Sequence, residues 1–105
     1  MANRTRLNKG KFTVVPVSKG HNVTTSSTTV LASNADRTYA LIVNDSDEVI
    51  YLKLGTTALV NSGIRLSANG GWLEFTENDA LWTGIITGIH GGTGNKAVTV
   101  TEGDN

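Results

Sequence analysis

The stretch RTYALIVNDSDEVIYLKLG, Arg37 to Gly55, holds two apolar runs separated by five polar residues. The first run, Arg37 to Asn44, is the most apolar of the chain and reads as a central strand. The second, Glu48 to Gly55, alternates. Val49, Tyr51 and Lys53 point one way, and Ile50, Leu52 and Leu54 point the other. A period of two fits a pleated strand and not a helix. The link NDSDE is rich in turn formers, so the two strands are expected to form a hairpin.

The rest of the chain follows the same pattern. No window of a dozen residues carries apolar positions at helical spacing, and Thr, Val, Ile and Gly dominate. Upstream, FTVVPV (Phe12 to Val17) reads as a strand whose Pro16 confines it to an edge or an extended arm. STTVLAS (Ser27 to Ser33) is the next. Downstream come TALVN and GIRLS around Asn61 to Gly63, WLEF (Trp72 to Phe75), ALWTGIITGIHG (Ala80 to Gly91) and KAVTVTEG (Lys96 to Gly103). About eight or nine short strands with frequent turn signals predict an all-β domain, a single small β-sandwich or barrel with jelly-roll or Greek-key links. At 105 residues the chain is sized for one domain, expected over residues 12–105.

Charge is uneven although the net is zero. Residues 1–11 carry Arg4, Arg6, Lys9 and Lys11 and no acid, and the first acid of the chain is Asp36. This head has too little apolar surface to fold alone and is expected to be an extended basic arm. Eleven extended residues reach up to roughly 35–40 Å. No apolar run approaches the roughly 20 residues of a membrane helix, so a membrane partner is not expected.

Chemistry was sought and not found. Gly91 to Lys96 resembles a phosphate loop only superficially. Asn95 precedes the lysine, Ala97 stands where a hydroxyl should follow, and an alternating strand replaces the required helix. A glycine turn joining two strands in a hairpin is the expectation. Asp45 and Asp47 match only the first step of a calcium loop. His21 and His90 lack ligand spacing, there is no cysteine, and no serine sits in G-x-S-x-G. Glu74, Glu77 and Asp79 read as wet carboxylates. No catalytic residue, metal or cofactor is expected, and the chain reads as a non-enzyme. Trp72 and Trp82 are the large anchors, for the core or an interface. Cations lie in the arm and aromatics in the domain, which disfavours a nucleic-acid surface.

The pattern also resembles a known group. An arginine precedes an apolar strand ending in Asn, and an alternating strand ends in Leu-Gly. A Gly…Leu…Gly-Gly segment and a glycine-rich pair of strands follow. The residues are Arg37, Asn44, Leu54, Gly55, Gly63, Leu66, Gly70, Gly71, Gly84, Gly88 and Gly91. Over about Thr28 to Gly103 this is similar to small proteins encoded among the head genes of tailed bacteriophages, which resemble capsid decoration, or cement, proteins. The resemblance implies a virion protein made in the host cytoplasm and seated on the outer capsid surface. It would bind the major capsid protein and bridge capsomers, as a homo-oligomer with a trimer favoured. Arg4, Arg6, Lys9, Lys11, Phe12, Trp72 and Trp82 are then the candidate capsid or subunit contacts. A tail or baseplate module that binds a host receptor or carbohydrate is the alternative, since it would share the fold.

Overall fold

The computed structural model describes residues 15–78 and 81–104. Arg4, Arg6, Lys9, Lys11 and Phe12, with the expected arm boundary, lie outside the described residues. Eight strands are present: β1 (Val17–Val23), β2 (Thr28–Leu31), β3 (Arg37–Asn44), β4 (Ile50–Leu54), β5 (Ile64–Leu66), β6 (Trp72–Thr76), β7 (Ile86–His90) and β8 (Lys96–Asp104). They form two four-stranded antiparallel sheets, in the orders β1-β8-β3-β6 and β2-β7-β4-β5. The pairing is nested. β1 pairs with β8, β2 with β7, β3 with β6 and β4 with β5. This is one long hairpin rolled into two layers, the jelly-roll form of the sandwich.

Alternation builds the core. Ala40 and Ile42 of β3 and Val98 and Val100 of β8 face inward from the first sheet. Ile50 and Leu52 of β4 and Ile86 of β7 meet them from the second. Val23, Val30, Leu66 and Phe75 close the sides.

The structure corrects the expected hairpin. β3 and β4 lie in different sheets, so NDSDE arches across the sandwich rather than turning within one sheet. Ala40 and Ile42 of β3 and Ile50 and Leu52 of β4 meet in the same core from the two sheets. Asn44 holds the arch. Its buried amide nitrogen donates to Glu48 O at 2.7 Å and Leu66 O at 3.1 Å, and its Oδ1 accepts from Ser46 N and Oγ. The glycine-rich connection between β7 and β8 also crosses between sheets and is likewise no hairpin. Of Gly91, Gly92 and Gly94, only Gly94 has a positive φ, of 72°.

Three strand assignments also change. β1 begins at Val17, where the expected strand ends, and runs through the polar stretch SKGHN. It is an edge strand, exposed along most of its length, so no burial pattern marks it. TALVN forms no strand. The β4–β5 connection instead folds over the outer face of the second sheet: Thr87 Oγ1 donates to Gly55 O at 2.7 Å, and Ala58 is buried. Of Ala80 to Gly91 only Ile86–His90 is strand.

The other end of β3 is held by Arg37, which is fully buried. Nε donates to Glu102 Oε2 at 2.8 Å, Nη1 to the carbonyls of Trp82 and Gly84, and Nη2 to Ala32 O. A charge so placed is tolerated because a carboxylate and three carbonyls replace its water.

Candidate interaction surface

The two outer faces of the sandwich differ. On the second sheet Thr87 and Ile89 point outward yet are buried, because the β4–β5 connection lies over them. The outer face of the first sheet has no such cover among the described residues. There Leu41 and Val43 of β3 stand beside Trp72 and Glu74 of β6 and line a shallow depression of about 320 Å³. Register sets the group: Val43 is opposite Trp72, Leu41 opposite Glu74 and Tyr39 opposite Thr76. Trp72 is 63 % exposed, on a strand whose far edge ends the sheet. A large ring with apolar neighbours at the surface is the usual chemistry of an interface centre.

A polar pair bounds the patch. Tyr39 Oη donates to Glu74 Oε2 at 2.6 Å. The Tyr39 pKa is pushed up to about 12, first by that hydrogen bond, then by burial and by the Glu74 charge. The phenol therefore stays a donor and fixes the carboxylate at the patch border.

The expected contacts separate on inspection. Trp72 is on the surface. Trp82 is half-buried against the core, donates its indole N–H to Ile85 O at 2.9 Å, and lies on Gly84, where a Cβ would meet the ring at 2.5 Å. It plugs the Arg37 end of its own protomer. β7, Ile86–His90, is buried from end to end and offers no surface. Leu41 and Val43 were missed as surface residues. The signal was available, because β3 is apolar at alternate positions of both phases, as a strand covered on both faces would be.

The glycine-rich connection is committed internally. Gly92 N–H donates to His90 Nδ1 at 3.1 Å, and His90 Nε2 then donates to Gly94 O at 2.7 Å. Lys96 Nζ donates to Asp47 Oδ1 at 2.9 Å. Neither the Gly92 amide nor the lysine is left waiting for a phosphate. Among the described residues no three of His, Cys, Asp or Glu gather as a metal site would require.

No family model, no curated protein and no solved structure matches the chain.

Proposed function

We propose that the chain is a non-enzymatic virion protein of a tailed bacteriophage, which binds the outer capsid surface and stabilises the shell by bridging neighbouring capsomers. The observation that carries this reading is the uncovered outer face of the first sheet, with Trp72, Leu41 and Val43 at its centre. Two of the residues on which the phage resemblance rests, Arg37 and Asn44, support it by fixing the strand that presents Leu41 and Val43. A rigid attachment module of this kind needs a firm backbone and one sticky face, and no reacting groups.

The exposed indole beside the Glu74 carboxylate also fits a sugar-binding face on a tail or baseplate. Imaging of virions with and without the gene product separates the two. Difference density on the shell is expected; density confined to the tail overturns the capsid reading. On capsids lacking the protein, Trp72→Ala should weaken attachment by about 2 kcal/mol, roughly thirtyfold, as for an interface hot spot.

A further inference from the structure

At the other side of the sandwich the edge strands of the two sheets, β1 and β2, leave a cleft of about 350 Å³ between them. Behind it lie the buried core residues Val30 and Leu31, and its rim carries Lys19, His21, Asn34 and Glu102. Two features show that it is built for an occupant. His21 Nε2 is buried and has no hydrogen-bond partner, an omission that a folded chain normally repairs. Among the described residues the outer edge of β2 also has no neighbouring strand, and residues 29–34 run along the cleft wall. A peptide backbone lying there could pair with that edge and supply a partner for His21.

The charge of the chain says which peptide. Residues 1–11 carry four cations and no acid, whereas residues 12–105 carry five cations and nine acids. The cleft opens at the end of the first sheet where β1 begins and β8 finishes. Asp36, Glu102 and Asp104 gather there around Asn34, with Glu77 one residue beyond β6. Arg37 offsets one of these acids and Lys19 another, which leaves the end acidic. The arm of the same protomer is badly placed to fill the cleft. Pro16 keeps the entry to β1 extended, Val15 is 86 % exposed, and the chain would have to reverse to come back along its own strand.

We infer that the basic arm, residues 1–11, of one copy docks in the β1–β2 cleft of a second copy and completes it. Its backbone pairs with the free edge of β2, and its cations face the acidic end. The exchange is a property of the protein alone and does not rest on the capsid reading.

The chain has no native cysteine, so site-directed coupling tests this in full-length protein. Lys9→Cys, activated as its thionitrobenzoate disulfide, is mixed at micromolar concentration with chain carrying Ser33→Cys, an exposed position on the cleft wall. A mixed disulfide dimer is expected, at least tenfold faster than with Asn95→Cys at the opposite end of the sandwich. The rate should fall severalfold in 1 M salt, where charges are screened beyond about 3 Å. Equal rates at positions 33 and 95 overturn the inference. So does ring closure within one chain of the Lys9→Cys, Ser33→Cys double variant in preference to dimer, because the arm would then fill its own cleft.

Discussion

Gly88 shows how one missing carbon lets the two sheets meet. A Cβ there would press on two core side chains, at 3.0 Å from Val30 Cγ2 and 3.2 Å from Leu52 Cδ2, and touch Val23 Cγ2 at an ordinary 3.5 Å. Gly88→Ala should therefore destabilise the fold by about 1–3 kcal/mol through overpacking, read as a lower denaturant midpoint. An unchanged midpoint would mean that the core gives way more easily than its packing implies. Tyr39 makes a second prediction. Its ionisation is raised from 10.0 to about 12, so the folded state favours the neutral phenol. The associated stability is complete below pH 10 and is lost as pH rises through about 12. Absorbance titration should show one late-ionising tyrosine, and Glu74→Gln should bring it earlier by removing the negative acceptor. A wild-type Tyr39 that ionises at its ordinary value would contradict the hydrogen bond. Neither property was legible beforehand. Gly88 could be read only as a glycine inside a strand, and the Tyr39–Glu74 pair depends on the register of β3 with β6, which no local pattern sets.

At the scale of elements, β3 is the strand to which the rest is fastened. Arg37 ties its start to four remote groups, and Asn44 ties its end to the arch and to β5. Arg37→Lys replaces a planar fork by a point charge and strands several carbonyls, so a loss of about 2 kcal/mol is expected. Asn44→Ala should lose about 3 kcal/mol, because buried carbonyls and the Ser46 N–H lose their partner together. Chemical denaturation of both variants checks this, and losses below about half a kcal/mol would mean that β3 needs neither tie. The sequence marks both residues as boundaries of an apolar run. Their long-range partners, Glu102, Trp82 and Gly84 for Arg37 and Leu66 for Asn44, lie 22 to 65 residues away, at distances no spacing rule reports. The strands with an apolar phase were readable for the same reason that they fold: alternation is their burial. β1 was not, since an exposed edge strand owes its place to the β8 ladder alone. Turn chemistry located the Asn44–Glu48 and Gly91–Asn95 connections. It could not say whether the next strand stays in the sheet or crosses, because that choice belongs to strands distant in sequence.

At the scale of the whole molecule, the two sheets are unequal partners. One outer face is roofed by the protein's own β4–β5 connection and the other has no cover among the described residues, so attachment through that second face leaves the exposed Leu59 and Val60 of the roof pointing away. The loss on Trp72→Ala should accordingly have no counterpart in Leu59→Ala, although the two side chains are almost equally exposed. Equal losses in capsid-binding titrations would place the docking face elsewhere. The nested pairing has a mechanical side as well. The entry to β1 and the exit of β8 lie together at one end, with Val17 opposite Glu102, and the register then runs rung by rung to Val23 opposite Lys96. Tension arriving along the N-terminal segment does not shear this ladder, in which all rungs would resist at once. It peels the ladder like a zipper, with the load falling on the Val17 rung first and on each later rung in turn. A load on that segment would thus be released gradually, one rung at a time, until it reaches Val23, the last rung and the first that belongs to the core.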